Sequence, residues 1–113
     1  MVDYAQHLLD EAIKNKSNSN DITFIKQSLY ELKLKEKVDA IISIRTLHHL
    51  DDLQTLFKKY NEALNDEGIM ILDIPNFYHL KNRLLNRIDD KEEKYKLSEN
   101  FYNYNPNYVI NML

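Results

Sequence analysis

Val38-Asp-Ala-Ile-Ile-Ser-Ile44 is an apolar run rich in β-branched residues. Such a run predicts a strand that is buried on both faces, as the strands of parallel sheets are. Ile69-Met-Ile-Leu72 predicts a second strand of the same kind. The segment between the two carries an apolar stripe at helical spacing, formed by Leu53, Leu56, Phe57, Tyr60 and Leu64. A strand, a helix and a strand in this order predict an α/β fold with a parallel sheet.

Short polar motifs mark the ends of the predicted helix. Asp51 precedes the apolar stripe and Gln54 follows three residues later, which predicts a capping box with Asp51 as the N-cap. Asn65-Asp-Glu-Gly68 predicts the end of the helix, with Gly68 in the left-handed conformation of a C-cap.

The segments on either side continue the alternation of helices and strands. Residues 4–15 are amphipathic and predict a helix, which the polar loop 15–20 ends. Ile22-Thr-Phe-Ile25 predicts a short strand, and a charged connection follows at residues 32–37.

The C-terminal third predicts mainly helical structure. After Pro75, apolar residues at helical spacing predict another helix, and they are Phe77, Leu80, Leu84 and Ile88. Residues 89–96 form a charged run, which predicts a solvated loop or a helix end. Asn105-Pro106 predicts the start of a final helix that runs through Leu113.

Composition narrows the class of protein. The chain has 113 residues, enough for one small domain, and its net charge of −3 gives no basic field for nucleic acid. It has no cysteine and no stretch near the roughly 18–20 apolar residues of a membrane span, which predicts a soluble, cytoplasmic protein. Gly68 is its one glycine, whereas average usage of about 7% predicts roughly eight. One glycine cannot build the loop that brings backbone close to a nucleotide cofactor.

Four blocks resemble class I S-adenosylmethionine-dependent methyltransferases. Residues 38–50 are similar to the fourth strand and following turn of that family, with the pattern "fDlvv…vLhHl", and residues 63–73 to the block that leads into its fifth strand. Residues 2–12 resemble the end of the second strand, and residues 22–32 the segment around the third. The blocks stand in the family's order and cover residues 2–75.

The resemblance implies a fold and a domain organisation. It implies a partial Rossmann-like sheet in a three-layer α/β/α arrangement, with residues 1–113 as a single partial domain and 76–113 as a helical, tyrosine-rich segment. Asp73-Ile-Pro-Asn76 and Tyr102-Asn-Tyr-Asn-Pro106 are similar to family members that act on small metabolites or saccharides.

Parts of the family pattern have no counterpart here. The family's strand order is 3-2-1-4-5-7-6, and the sequence lacks the first strand with its glycine-rich loop and the last two strands. Strands three and four would therefore have no neighbour between them, although buried strand backbone needs hydrogen-bond partners. The two strands could pair directly, a second copy or partner chain could complete the sheet, or the sequence is a truncated gene product, which the losses at both ends favour.

The resemblance also implies a set of site residues for S-adenosylmethionine. They are Asp3, Tyr4, Ser28, Leu29, Ile44 and Arg45. Asp3 would accept hydrogen bonds from the ribose hydroxyls, and Ser28 stands where the family usually has an Asp that contacts adenine. Each residue also has a structural alternative: Asp3 as a helix N-cap, Ser28 as a loop residue and Arg45 as a surface side chain.

His49 is the candidate catalytic residue, as a general base, with structural use of its ring as the alternative. His48 and His49 with Asp51 and Asp52 offer imidazole and carboxylate ligands, but neighbouring side chains diverge, so no metal site is expected.

Two functions follow from these observations. The first is a piece of a methyltransferase for a small molecule that is inactive as the isolated chain. The second is a non-catalytic methyltransferase-like remnant that serves as an interaction or partner subunit.

Overall fold

A computed structural model of the chain describes residues 1–16, 21–74, 94–98 and 101–113. The helix predicted over residues 77–88 lies outside the described residues, as does the first part of the charged run that begins at Asp89. In the part of the chain that is described, no helix is long and apolar enough to cross a membrane.

The first unit is a parallel pair of very short strands connected by a helix. Strand β1 spans Val2–Asp3, helix α1 spans Gln6–Asn15 and strand β2 spans Ile25–Lys26. Val2 pairs with Ile25 and Asp3 with Lys26 in parallel register. The helix predicted over residues 4–15 is confirmed, whereas the strand predicted at 22–25 begins only at Ile25 and continues to Lys26, because only these residues pair with β1.

The second unit is the predicted strand, helix and strand. Strand β3 spans Val38–Ser43, helix α2 spans Leu53–Ala63 and strand β4 spans Leu64–Leu72. Strands β3 and β4 pair in parallel, with Ile42 opposite Ile71. The parallel α/β pattern predicted for this stretch is therefore confirmed.

The apolar stripe of α2 supplies most of the core. The buried residues of this helix are Leu53, Leu56, Phe57, Tyr60 and Ala63. They form one cluster with other buried residues, among them Leu47 from the turn after β3 and Tyr104 from the C-terminal segment. The buried Tyr60 hydroxyl donates to Ser43 Oγ at 3.2 Å, which ties the helix to the end of β3.

The N-cap of α2 lies one residue after the predicted position. Asp52 is the N-cap, and its Oδ1 accepts the backbone N–H of Thr55 at 3.0 Å. The prediction of Asp51 as the cap was wrong because the Asp51 carboxylate accepts the Tyr30 hydroxyl instead, at 2.9 Å.

Strands β3 and β4 are covered on one face only. Ser43 and Met70 face α2 and are buried or half-buried. On the opposite face, Ile42 is 67% exposed and Ile69 is 62% exposed. The prediction of strands buried on both faces was wrong for the described residues, because α2 covers one face and side chains alternate along a strand.

Gly68 is not a helix cap. Helix α2 passes directly into β4 through Leu64, which has an extended backbone, and no glycine has a positive φ. Glycine is favoured at position 68 because there is no room for a side chain. A Cβ at this position would lie 2.8 Å from Leu64 Cδ2 and 2.9 Å from the carbonyl oxygen of Asn65. The close contact lies within β4 and involves backbone, which cannot rotate away.

The C-terminal segment contains a hairpin, contrary to the helical prediction. Strand β5 spans Lys94–Ser98 and pairs antiparallel with strand β6, Phe101–Tyr104. A short helix α3, Pro106–Ile110, follows with Asn105 as its N-cap, which confirms the predicted start although the helix ends before Leu113. Tyr104 is buried and its hydroxyl donates to the carbonyl oxygen of Leu50, so tertiary contact holds this strand in place.

Within the described residues the strands form three two-stranded sheets and not one continuous sheet. The pairs β1–β2 and β3–β4 are separated by a cleft of about 640 Å³, lined by Val2 and Ile25 on one side and by Ala40 and Ile42 on the other. The direct pairing considered for the predicted third and fourth strands is not observed. The structure thus supports an α/β class with small parallel sheets.

We expect Gly68→Ala to lower the free energy of unfolding by about 1–3 kcal/mol, since the added methyl overpacks against Leu64 and Asn65. At an unhindered site with this backbone the same change would raise stability slightly through the unfolded chain. Urea unfolding followed by circular dichroism measures the difference. Glu67→Ala, an exposed neighbour on the same strand, is the control and should change stability by less than about 0.5 kcal/mol. Equal or higher stability of Gly68→Ala would contradict the steric account.

Candidate functional site

One cavity of about 540 Å³ collects the residues predicted to bind a cofactor. It lies where the carboxyl ends of β1 and β3 and the turn after β2 come together. All six predicted residues line it, namely Asp3, Tyr4, Ser28, Leu29, Ile44 and Arg45. His49 lines it as well. Ligands of open parallel α/β sheets bind at this end of the strands, so the position suits a binding site.

Asp3 forms the wall at the end of β1. Its Oδ1 accepts the backbone N–H of Ala5 at 2.7 Å, which fixes the carboxylate beside the cavity. Ala5, and not Asp3, is the N-cap of α1. The alternative of Asp3 as the N-cap of α1 is therefore not observed.

The turn after β2 forms the second wall. Ser28 precedes a short 3₁₀ helix, Leu29–Glu31, and its side chain makes no capping hydrogen bond there. Ser28 and Leu29 are half-buried at the cavity. Tyr4, by contrast, is 77% exposed, so it contributes only an edge to the cavity.

Tyr30 fixes this turn to the loop before α2. Its hydroxyl donates to Asp51 Oδ1 at 2.9 Å and accepts the backbone N–H groups of Asp51 and Asp52 at 3.1 and 3.2 Å. Burial raises the pKa of Tyr30, and the nearby Asp51 carboxylate adds to that rise against the lowering effect of the two N–H donors. The sequence does not indicate a role for Tyr30, because its partners lie more than twenty residues away and no local motif marks the contact.

The end of β3 carries an unusual backbone conformation. Arg45 has φ of 55°, and it is the one non-glycine residue with a positive φ in the described ranges. This left-handed conformation costs an ordinary residue about 1–2 kcal/mol. The Asp73 carboxylate holds it, since Asp73 Oδ1 accepts the Arg45 backbone N–H at 2.6 Å. Asp73 in turn donates its own N–H to the carbonyl oxygen of Ser43 at 3.2 Å, so the residue directly after β4 fixes the turn that follows β3.

Two histidines follow this turn. They lie in a 3₁₀ helix, Leu47–His49, and their ring centroids are 3.9 Å apart. Burial lowers the pKa of His48, and the charges of His49 and Arg45 lower it further, while Asp73 raises it. His49 is the exposed member of the pair and the one that lines the cavity. Across residues 1–16, 21–74, 94–98 and 101–113, no group of three or more histidine or acidic side chains is placed to hold a metal ion.

Comparison with known proteins identifies the family. The sequence matches the methyltransferase domain family over residues 1–72, which is more than half of the chain. The chain belongs to this family. The matched region runs from β1 to the end of β4 and contains every residue that lines the cavity, so the methyltransferase-like part and the candidate site coincide. No curated protein and no solved structure matches the chain.

Membership confirms the resemblance to class I S-adenosylmethionine-dependent methyltransferases on which the site residues were chosen. What the structure of this methyltransferase domain adds is their common location, together with the hydrogen bonds of Asp3, Tyr30 and Asp73 that hold the walls of the cavity.

We expect Tyr30→Phe to lower the free energy of unfolding by about 1 kcal/mol, because it removes the hydroxyl that joins two cavity walls. Urea unfolding at neutral pH measures the change. Tyr4→Phe is the matched control, since Tyr4 is largely exposed and should leave stability unchanged within about 0.5 kcal/mol. Indistinguishable stabilities of the two variants would show that the Tyr30 hydroxyl does not hold the turn.

Proposed function

We propose that this methyltransferase-like domain binds S-adenosylmethionine in the cavity at the ends of β1 and β3, as part of methyl transfer to a small molecule. The observation that supports the proposal is the convergence of all six predicted cofactor residues on one cavity. Use of this cofactor is general in the family that the chain matches.

The residues present fit one half of the cofactor. Asp3 has a carboxylate oxygen available for the ribose hydroxyls, and Ser28 and Leu29 offer a half-buried surface beside it for the adenine ring. Ile44 and Arg45 stand on the opposite wall, toward β3. The methionine half of the cofactor has no glycine-rich backbone to bind against, because the one glycine of the chain, Gly68, lies within β4 and away from this cavity.

The chemistry required of the protein is modest. S-adenosylmethionine supplies a methyl group on a sulfonium centre, which an oxygen, nitrogen or carbon atom of the acceptor attacks in line. The side chains around the cavity would orient the two molecules and keep water out, and positioning of this kind accounts for a large share of such rate enhancements. His49 lines the cavity, and in this proposal its imidazole would accept the proton of the acceptor.

The proposal includes completion of the sheet. The cleft between β1 and β3 separates two parallel strand pairs, and a further strand between them would turn these pieces into one partial Rossmann-like, three-layer sheet. A second copy of the chain or a partner chain would supply that strand. The isolated 113 residues should therefore transfer no methyl group, because nothing in the described residues lines the place of the methionine moiety with closely approaching backbone.

A second candidate function is that of a non-catalytic partner subunit. The open face of β3 and β4 favours it, since Ile42, Ile69 and Ile71 are each at least half exposed. An exposed apolar sheet face of this kind suits contact with another protein. In that case the chain would associate with a partner without binding the cofactor.

The proposal is tested by titrating the purified, folded chain with S-adenosylmethionine and following backbone amide shifts by NMR. We expect saturable shifts at residues 3, 28–29 and 44–45. Asp3→Asn is the decisive variant, because its amide oxygen can still accept the Ala5 N–H while the second carboxylate oxygen is lost. We expect it to weaken binding about tenfold or more, since hydrogen bonds to a charged acceptor contribute about 1.5–3 kcal/mol.

The control variant is Asp66→Ala, which removes a fully exposed carboxylate on β4 outside the cavity. It should bind as the unchanged chain does. Absence of saturable shifts in a folded chain would reject the proposed cofactor site. If that chain also self-associates, the partner-subunit function gains support.

A further inference from the structure

We propose that Arg45 is an anion-binding residue of the cavity and takes a carboxylate group of the bound ligand. The inference deepens the proposed function and rests on it only for the identity of the ligand. In this proposal the end of the ligand that lies against β3, across the cavity from Asp3, carries a negative charge.

The backbone at Arg45 is held in a conformation that arginine does not favour. Glycine or asparagine would adopt a φ of 55° at lower cost. The conformation is fixed by the carboxylate of Asp73, the residue directly after β4, which accepts the Arg45 N–H. Strained residues held by their surroundings concentrate at binding sites, and this one lies at the ligand-binding end of a parallel strand.

The Asp73 carboxylate contacts the backbone of Arg45 and does not form an ion pair with its guanidinium. In the described part of the chain, neither of the ion pairs involves Arg45. The side chain is exposed, and its charge is near enough to His48 to lower the pKa of that imidazole. The guanidinium is thus a cation beside the cavity that no described acidic side chain neutralises.

Carboxylate is the ligand group that suits this arrangement. A guanidinium presents a planar fork of N–H donors that matches the two oxygens of a carboxylate, and it stays charged at every physiological pH. The opposite wall carries the Asp3 carboxylate, which would repel an anion there. A ligand with hydroxyl groups at one end and a carboxylate at the other would match both walls.

Two molecules of the proposed reaction could bring that carboxylate. One is S-adenosylmethionine, through its amino-acid group, and the other is a methyl acceptor that is itself a carboxylic acid. S-adenosylhomocysteine carries the amino-acid carboxylate and 5′-methylthioadenosine lacks it, so the pair separates the two sources.

The site is tested first without any nucleoside. Sodium acetate is titrated into the labelled chain, with acetamide as the uncharged control, while the Nε–H signals of the three arginines are followed by NMR. We expect the Arg45 signal to shift saturably with acetate alone, and the signals of Arg83 and Arg87 to respond less, which makes them references within the same spectrum. Equal, unsaturated responses of all three arginines would overturn the proposal.

The variant for the second step is Arg45→Asn, because asparagine tolerates the left-handed backbone and the fold is retained. We expect it to abolish the acetate response of the neighbouring Thr46 amide. Lys35→Gln removes an exposed positive charge outside this cavity and should leave the response intact. Loss of the response in both variants would overturn the proposal, since general charge would then explain it.

Titrations with the two nucleosides, S-adenosylhomocysteine and 5′-methylthioadenosine, identify the source of the carboxylate. A roughly tenfold loss of S-adenosylhomocysteine affinity in Arg45→Asn, with 5′-methylthioadenosine unaffected, supports the cofactor carboxylate. Unchanged affinity for both, with the acetate response lost, supports an acidic methyl acceptor. If neither nucleoside binds the unchanged chain while acetate does, the anion site stands and the proposed cofactor function fails.

Discussion

Helix α2 buries its apolar stripe against β3 and β4, and the other described elements are arranged around that contact. Leu56 and Tyr60 are almost fully inaccessible, and burial raises the pKa of Tyr60, whose hydroxyl donates to Ser43 at the end of β3. Leu47 and Tyr104 enter the same core from the turn after β3 and from the C-terminal hairpin. The helix thus fixes the end of β3, and with it the wall of the candidate site that carries Arg45 and His49.

The cavity is bordered by two strand pairs that share no hydrogen bonds, and each wall is held by its own short-range contacts. Asp3 is fixed by the N–H of Ala5, and Arg45 is fixed by Asp73 at the end of the neighbouring strand. Tyr30 connects one unit to the other across the site, through hydrogen bonds with Asp51 and Asp52. This arrangement explains how residues of a methyltransferase domain converge in one place although its sheet is split.

The sequence was a good guide wherever periodicity carried the information. The apolar stripe of α2 follows from its helical spacing, β3 and the second half of β4 follow from their continuous apolar runs, and the blocks that resemble methyltransferases led to the six cavity residues. Contacts distant in sequence were not predictable in this way. The Tyr30 hydroxyl donates to the Asp51 carboxylate, and the N-cap of α2 is Asp52 instead. Gly68 was assigned to a cap because glycine is common there, whereas here it avoids a clash within β4. The prediction that β3 and β4 are buried on both faces was wrong, because an apolar run does not show how many helices cover a strand.

The split sheet is the central feature of this account, and amide hydrogen exchange at β3 tests it most directly. The carbonyl oxygen of Ser43 accepts a hydrogen bond from Asp73, directly after β4, and backbone groups alternate in direction along a strand. The N–H of Ile41 therefore points to β4, and that of Ile42 points into the cleft between β3 and β1. The account predicts that Ile41 exchanges at least ~10 times more slowly than Ile42 in the monomeric chain, where no second copy pairs with this edge of β3. Equal protection of the two amides would contradict it, because the edge of β3 facing the cleft would then be paired.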